Sequence, residues 1–394
     1  MLDVAIVGCG KIADAHAAQV ARIAGCRIVA ACDREPLMAR QFCARFGVKQ
    51  HFSDLDRLLS ESHVDIVHLT TPPATHFELA MQCLDRGCHV YVEKPFTLRA
   101  LEARELVTAA RRKGLKITVG HDEQFGHASR RVRGLVQAGY LGGPPVHMES
   151  VYCYDLKESR YARAVLANSQ HWVRKLPGGL LQNIISHGIA RIAEFLSIDA
   201  PEVIGHGFVS PVIRDLGEHG IVDELRVIIS EPGRTTAYFT FSSQMRPVLH
   251  QFRLYGPANG IILDHDHETV IRLRGRRFKS YADHFLPPLM FARQHVGNVL
   301  GNAARFLARD FQMKAGMKFL IESFYRSIER NAPPPISYDE ILRTATIMDS
   351  IFDQLAAKSA GRAASERHEQ PAPIRPRKPS VVPTPSAWLQ PLPK

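Results

Sequence analysis

The sequence predicts an α/β protein, in which a doubly wound parallel sheet is followed by an α+β domain with an open, mainly antiparallel sheet. Three observations support this fold class. Apolar runs alternate with amphipathic helical patterns up to about residue 123, as in proteins built from βα units. A glycine-rich turn separates the first apolar run from the first helical pattern. After residue 145 the pattern changes to longer strand-like runs that are joined directly by turns.

The first part of the chain contains short apolar runs that are typical of buried parallel strands, at residues 4–7, 28–32, 66–70, 90–92 and 117–119. Helical patterns lie between them at residues 15–23, 37–46, 76–85 and 100–112. Parallel strands need crossover connections, and these helices supply them. We therefore expect a first domain over residues 1–123.

The second part contains runs that favour antiparallel strands, at residues 146–154, 202–209, 222–230, 235–241, 248–254 and 261–264. Two helical patterns follow at residues 316–330 and 338–357. From residue 359 the chain is rich in Pro, Arg and Ser and has no periodicity, so we expect disorder there. The predicted domains are thus 1–123, 124–358 and a tail over 359–394.

The first turn has the pattern of a dinucleotide-binding Rossmann fold. Gly8 permits a tight turn, Gly10 lets the main chain approach a pyrophosphate, and Ala13 is small enough for the helix to pack on its strand. The N–H groups at the start of the helix then point at the phosphates. Asp33 lies about twenty residues beyond the turn, where a carboxylate can accept hydrogen bonds from the adenosine ribose.

The same residues indicate which nicotinamide cofactor is bound. The carboxylate of Asp33 favours NAD, because it repels the 2′-phosphate that distinguishes NADP. Arg34 follows directly and could pair with that phosphate, so use of NADP stays open.

Two further motifs follow predicted strands. One comprises Thr71, Pro72 and His76, and the other is Glu93-Lys94-Pro95. With the glycine turn, they resemble the Gfo/Idh/MocA family of NAD(P)-dependent oxidoreductases. The resemblance implies that Lys94 lies beside the nicotinamide and binds the reacting oxygen. The cofactor-binding residues predicted in this way are Gly8, Gly10, Lys11, Ile12, Ala13, Asp33, Arg34, Thr71, Pro72, His76, Glu93, Lys94 and Trp172.

A glycine-rich turn in the second domain, at residues 177–179, precedes a predicted helix that resembles the family's catalytic helix. There the family usually has an aspartate and, four residues later, a histidine, which share one helix face. His187 matches the histidine, but Asn183 replaces the aspartate. The predicted catalytic residues are Lys94, His187 and Asn183. Arg174, His121, Asp122 and Gln124 are weaker candidates.

Composition excludes several classes of protein. The formal net charge is +11, yet no nucleic-acid-binding motif accompanies it, so no nucleic acid partner is expected. The seven cysteines form no C-x-x-C pair and favour buried, reduced thiols. The cluster from His265 to Glu268 resembles a metal site, but alternation along a strand separates its side chains. We predict a polar hairpin tip there, no metal, and a cytoplasmic location without a signal peptide.

The segment 285–319 alternates apolar residues with arginines. A basic amphipathic helix of this kind can lie on a membrane interface. Packing on the sheet or across a subunit contact is the favoured alternative. The resemblance also implies a homodimer or homotetramer, paired through the outer face of the second sheet.

The resemblance implies hydride transfer to or from a hydroxyl or carbonyl group of a sugar, sugar acid or nucleotide-linked sugar. Two alternatives stay open. One is a glycosidase or lyase that recycles a bound NAD, as some members of the family do. The other is a non-catalytic sensor or scaffold that binds the dinucleotide, which Asn183 favours.

Overall fold

The computed structural model describes residues 1–156, 165, 167–275, 277–311 and 314–368. Residues Met1–Leu355 form one compact unit, and Ala356–Lys394 form another. The first unit contains two sheets with separate hydrophobic cores. The domain boundaries at residues 123 and 358 therefore stay predictions.

The first sheet is entirely parallel, with strand order β3-β2-β1-β4-β5-β6. The order runs outward in both directions from β1 and β4, which is the topology of a doubly wound fold. The predicted doubly wound parallel sheet is thus confirmed. Its strands are β1 (Leu2–Val7), β2 (Cys26–Cys32), β3 (Gln50–Phe52), β4 (Ile66–Leu69), β5 (His89–Val92) and β6 (Ile117–Val119).

The strand β3 was missed by the sequence analysis. It has three residues at the edge of the sheet, and only Phe52 is buried, so no apolar run marks it. The helices of this part are α1 (Lys11–Val20), α2 (Pro36–Phe46), α3 (Leu55–Glu61), α4 (His76–Asp85), α5 (Ala100–Lys113) and α6 (His127–Gln137).

The second sheet has seven strands in the order β13-β12-β11-β7-β10-β9-β8. β7 and β10 pair in parallel, and the other neighbours are antiparallel. The predicted open, mainly antiparallel sheet is therefore confirmed. Its strands are β7 (His147–Cys153), β8 (Glu202–Phe208), β9 (Glu224–Glu231), β10 (Thr235–Ser242), β11 (His250–Tyr255), β12 (Asn259–Asp264) and β13 (Thr269–Arg274).

One face of the second sheet is covered by short helices. A Cβ on Gly188 would lie 2.4 Å from the ring of Phe239 on β10, so glycine allows helix and sheet to approach closely. The helices after β7 are α7 (Gly179–Ile184), α8 (Ser186–Ala193), α9 (Pro211–Arg214), α10 (Ala282–Leu307), α11 (Ala315–Glu329) and α12 (Tyr338–His368).

The two C-terminal helices differ from the sequence prediction, α11 in the core on which it packs and α12 in its length. α11 packs on the first core, to which it contributes Leu320, Ile321 and Phe324. α12 continues to His368, beyond the predicted start of disorder at residue 359. Residues 358–368 contain several alanines and no proline, and alanine is the strongest helix former. The rest of the predicted tail, 369–394, lies outside the described residues.

Candidate active site

The glycine turn lies at the carboxyl end of β1. Gly8 has φ +91°, and a Cβ there would lie 2.7 Å from Thr71 Cγ2, so both conformation and space require glycine. A Cβ on Gly10 would meet nothing within 4 Å, which leaves the main chain open to a ligand. Gly10 is the N-cap of α1, and no side chain caps this helix end. The first N–H groups of α1 can therefore bind an anion.

The other predicted residues of this turn are divided between surface and core. Lys11 is exposed, Ile12 is half-buried, and Ala13 is completely buried in the first core, where it lets α1 pack closely on the sheet. These placements agree with the roles that the spacing predicts.

Asp33 follows β2 and is tied to the glycine turn. Its Oδ2 accepts a hydrogen bond from Cys9 N at 2.7 Å, and its Oδ1 accepts one from Glu35 N at 2.9 Å. Each carboxylate oxygen has a second lone pair, which can accept a ribose hydroxyl. Arg34 is exposed beside it. The turn and this carboxylate together fit a dinucleotide with a free 2′-hydroxyl group.

His76 was predicted to bind the cofactor, but its imidazole connects two loops of the protein. Its Nδ1 lies 2.9 Å from Pro95 O, and its Nε2 lies 2.9 Å from Thr71 O. The ring is completely buried. The structure therefore gives His76 a positioning role in place of direct cofactor contact. Thr71 is half-buried and Pro72 exposed at the same strand end.

Glu93 faces the protein interior. Its Oε1 lies 2.8 Å from His16 Nε2, while His16 Nδ1 lies 2.8 Å from His68 Nδ1 and Tyr325 OH lies 2.8 Å from His68 Nε2. Burial opposes ionisation of Glu93, but the hydrogen bond and charge of His16 and the charge of Lys94 lower its pKa to about 2. The negatively charged carboxylate of Glu93 therefore lies next to Lys94.

Lys94 reaches from the end of β5 to the second domain. Its Nζ donates a hydrogen bond to the main-chain oxygen of Asn183 at 2.9 Å. Burial lowers the pKa of Lys94, and the charges of Glu93, Asp122 and Glu123 oppose this change. The amino group is thereby positioned at the carboxyl edge of the first sheet, where ligands of such folds bind.

The predicted catalytic helix is divided into α7 and α8 at Ile185. The expectation that Asn183 and His187 lie on one face of one helix is therefore wrong in this detail. The family's glycine two residues after position 183 is replaced here by Ile185, which is completely buried. Asn183 ends up at the C-terminus of α7 and offers its carbonyl group to Lys94.

His187 and His121 lie side by side, with ring centroids 5.8 Å apart. Both are buried, and neither His187 Nδ1 nor His121 Nε2 has a hydrogen-bond partner among the described residues. Burial lowers the pKa of His187, as does Lys94, whereas Glu123 raises it. Burial and the charge of His187 lower the pKa of His121 to about 3. Both rings are therefore neutral near pH 7.

Glu123 is a site residue that the sequence analysis missed. Its Oε1 accepts a hydrogen bond from Tyr152 OH at 3.0 Å, and its Oε2 accepts one from Arg191 Nη2 at 2.6 Å. Burial opposes its ionisation, but His187 in its protonated form and the guanidinium of Arg191 hold the pKa of Glu123 well below the usual range. Arg191 follows His187 by four residues on α8, so the helical period could have indicated it.

The comparison with known proteins agrees with this arrangement. Residues 2–121 match the model of the Gfo/Idh/MocA family, described as an oxidoreductase family with an NAD-binding Rossmann fold. This match covers less than a third of the chain, and it shows the likeness to the family for residues 2–121. The prediction of an NAD-binding Rossmann domain is confirmed, and the roles of the individual residues of the glycine turn stay predictions.

Curated dehydrogenases are similar to parts of the chain. The chain is 30% identical over 140 residues to 4-carboxy-2-hydroxymuconate-6-semialdehyde dehydrogenase from a Sphingobium species, covering 36% of this chain and 44% of the relative. It is 22% identical over 302 residues to myo-inositol 2-dehydrogenase from Thermotoga maritima, covering 73% and 86%. The match to the first relative thus spans under half of its length.

A solved structure extends the likeness to both domains. UDP-N-acetylglucosamine 3-dehydrogenase from Acidithiobacillus ferrooxidans is 20% identical and superposes with a TM-score of 0.67, over 89% of this chain and 96% of that one. At this identity the likeness shows the fold alone.

Other residues predicted for the site have structural partners. The amide of Gln124 donates to Glu194 at 3.0 Å and to Glu340 at 2.6 Å. Trp172 packs against the second core. Arg174 forms an ion pair of 2.6 Å with Glu218. Each of these three side chains therefore contacts other groups of the protein.

The predicted polar hairpin tip is confirmed between β12 and β13, which pair antiparallel. His250 Nδ1 lies 2.7 Å from Asp266 Oδ1, and His267 Nδ1 lies 2.9 Å from Asp264 Oδ1. His265 is close enough to Glu123 to lower the pKa of that carboxyl. Within the described ranges, no group of three or more His, Cys, Asp or Glu residues could hold a metal ion.

Proposed function

We propose that this protein is an NAD-dependent oxidoreductase that interconverts a hydroxyl and a carbonyl group of a sugar-type substrate. The observation that carries this proposal is the position of Lys94 and the neutral His187 at one edge of the Rossmann sheet, with Glu123 beside them. This combination offers a cation for the reacting oxygen and a base for its proton.

The turn at Gly8 and Gly10 together with Asp33 would hold the NAD, which would supply the hydride acceptor or donor for the reaction. Lys94 holds the substrate oxygen and stabilises the negative charge that develops on it. The neutral ring of His187 takes the hydroxyl proton during oxidation, and the imidazolium that results returns it during reduction. Glu123 stabilises the imidazolium that forms on His187.

Glu123 also accounts for the asparagine at position 183. The family aspartate would favour a protonated neighbour, and Asn183 lacks that charge. Glu123 supplies a carboxylate to the same histidine from the end of β6. Lys94 contacts the main-chain oxygen at position 183, a group that every residue type carries. We infer that catalysis tolerates Asn183, which argues against the scaffold alternative.

A polyhydroxylated substrate fits the surroundings of Lys94. Ser186 Oγ, Arg191 Nε and His187 Nδ1 are buried polar atoms without a hydrogen-bond partner among the described residues. Such groups favour a substrate rich in hydroxyl groups over an apolar one. The inositol and UDP-sugar substrates named for two similar proteins support a cyclitol, sugar acid or nucleotide-linked sugar.

The proposed assembly is a homodimer or homotetramer through the outer face of the second sheet. Ile204, Ile228 and Tyr238 lie in register across three neighbouring strands and are 64%, 45% and 50% exposed. A second copy would cover this row of apolar side chains. The free cysteines of the described residues favour a reducing compartment, so we also propose a cytoplasmic location.

The test is a nicotinamide absorbance assay with purified protein and a panel of cyclitols, sugar acids and UDP-sugars, combined with mass spectrometry of co-purified molecules. We expect reduction of NAD with at least one of them. Substrate conversion without a net absorbance change would instead support the glycosidase or lyase that recycles its cofactor. Cofactor binding without conversion of any substrate would support the sensor or scaffold.

A further inference from the structure

The helix α10 exposes its apolar side. Seven large apolar residues of this helix are between 58% and 81% exposed, and Asn298 is its one buried residue. The exposed residues are Phe285, Leu289, Val296, Val299, Leu300, Phe306 and Leu307. An amphipathic helix normally turns its apolar side toward the core. This helix does the opposite.

The polar side of α10 is used to cover the edge of the second sheet. Gln294 accepts a hydrogen bond from Arg272 N at 2.8 Å and donates one to Arg272 O at 3.2 Å. Asn298 donates to Val270 O at 3.1 Å. β13 is an edge strand, and these amides satisfy its outward-facing main-chain groups. The orientation of α10 is thus fixed by its polar side, and its apolar side must face outward.

The exposed apolar residues form one continuous stripe. Positions 285, 289, 296, 300 and 307 are separated by four and seven residues, which places them on one face of a helix. From Phe285 to Leu307 the stripe is about 33 Å long. Among the residues that the structure covers, no helix is long and apolar enough to cross a membrane. A partner of this stripe therefore contacts it from the side.

The charge around the stripe is basic. Residues 277–310 contain five basic and two acidic side chains. Arg277 and Lys279 are exposed before the helix, Arg293 is exposed within it, and Arg309 is exposed after it. Two copies that met symmetrically at α10 would bring these positive charges together. An anionic lipid surface attracts them and at the same time accepts apolar side chains.

We propose that α10 binds the surface of an anionic lipid bilayer, with Leu289, Val296 and Leu300 buried in the acyl boundary and the arginines at the headgroups. Binding at this site does not depend on the proposed oxidoreductase activity. It would hold the enzyme at a membrane face without a spanning segment.

The test is flotation of the full chain with vesicles of phosphatidylcholine alone or with about one-third phosphatidylglycerol. We expect flotation with the anionic vesicles, and a loss of it at high salt. The variant Val296→Glu/Leu300→Glu should lower the bound fraction by about tenfold or more. Both positions are exposed, so the fold should persist, and NADH binding checks this independently. Leu37→Glu/Leu101→Glu, at exposed positions of the first domain, is the matched control and should float like the unchanged protein.

Three results would overturn the proposal. The first is no flotation of the unchanged protein with either vesicle, and the second is equal flotation of the variant. The third is a drop in mass of Val296→Glu/Leu300→Glu in light scattering, at a concentration where the unchanged protein is oligomeric. That drop would identify a second copy of the chain as the partner of α10.

Discussion

The Nζ of Lys94 donates a hydrogen bond of 2.9 Å to the main-chain oxygen of Asn183. This contact joins the end of β5 in the first sheet to the end of α7 in the second domain. It orients the amino group before any substrate binds, which is the preorganisation that stabilises developing charge. Because it uses a carbonyl group, the side chain at position 183 can vary without removing it.

Replacement of Lys94 by alanine should abolish most turnover and leave NADH affinity nearly unchanged. In the proposed mechanism the amino group stabilises charge on the reacting oxygen, and removal of such a group costs on the order of a hundredfold or more in rate. The turn at Gly8 and Gly10, which we propose holds the phosphates, is not touched by this substitution. Steady-state kinetics and a fluorescence titration with NADH measure the two effects.

The matched control for this substitution is Lys49→Ala, which removes an exposed lysine of the same domain. It should leave both rate and affinity unchanged. Full activity of Lys94→Ala would remove the proposed mechanism.

The variant Asn183→Asp should remain active with a shifted pH optimum. A carboxylate near His187 and Lys94 favours their protonated forms, so the pH at which His187 becomes a base rises. The acidic limb of kcat/KM against pH should move upward. A complete loss of activity would show that the amide at position 183 has a specific role, and an unchanged profile would place its side chain away from the reaction.

Glu123→Gln should shift the same profile in the opposite direction. Glu123 raises the pKa of His187, so removal of its charge should move the acidic limb of kcat/KM to lower pH. The same change should slow the step that forms the imidazolium. The glutamine oxygen can still accept from Tyr152 or Arg191. Activity against pH and NMR titration of the histidines measure this effect.

Tyr152→Phe is the control for Glu123→Gln. It removes a 3.0 Å hydrogen bond to Glu123 but keeps the carboxylate charge, so a much smaller shift is expected. Equal shifts in the two variants would show that the hydrogen-bond network, and not the charge of Glu123, sets the titration of His187.

The sequence predicted the parts of the site that depend on local structure. Gly8, Gly10 and Asp33 could be recognised because a strand, a turn and a helix follow one another within a short stretch. The effect of the Glu123 charge on the pKa of His187 could not, because it links residues that are 64 positions apart in the sequence.

Which side of α10 faces the protein could not be predicted from the sequence either. Its amphipathic pattern was visible, but the side that faces the protein depends on the hydrogen bonds that Gln294 and Asn298 exchange with the edge strand β13. Sequence periodicity locates an apolar face and does not say what covers it. The same applies to His76, whose imidazole is engaged by the carbonyl groups of two separate loops.

Asp33 should make the protein prefer NADH over NADPH. Its carboxylate repels a 2′-phosphate. Hydrogen bonds from the main-chain N–H groups of Cys9 and Glu35 hold this carboxylate in position. Asp33→Asn keeps an oxygen acceptor and removes the charge, so the preference should decrease mainly through tighter binding of NADPH. Calorimetric titration with both cofactors tests this, and tighter binding of NADPH by the unchanged protein would contradict it.

The stability of the protein should fall as the pH rises from about 4.5 to about 8, because of Glu340. Burial and the charge of Glu194 raise the pKa of Glu340 from 4.5 to about 8. Between these values the folded chain keeps a proton that the unfolded chain has lost. The free energy of unfolding therefore decreases with rising pH, by at most about 1.4 kcal/mol per pH unit for one proton, and levels off above pH 8.

Glu340→Gln keeps an acceptor for Gln124 and should flatten this dependence in urea unfolding measured at several pH values. The exposed neighbour Asp339 is the control, since Asp339→Asn should leave the slope as it is. A slope that persists in Glu340→Gln would assign the pH dependence to another group.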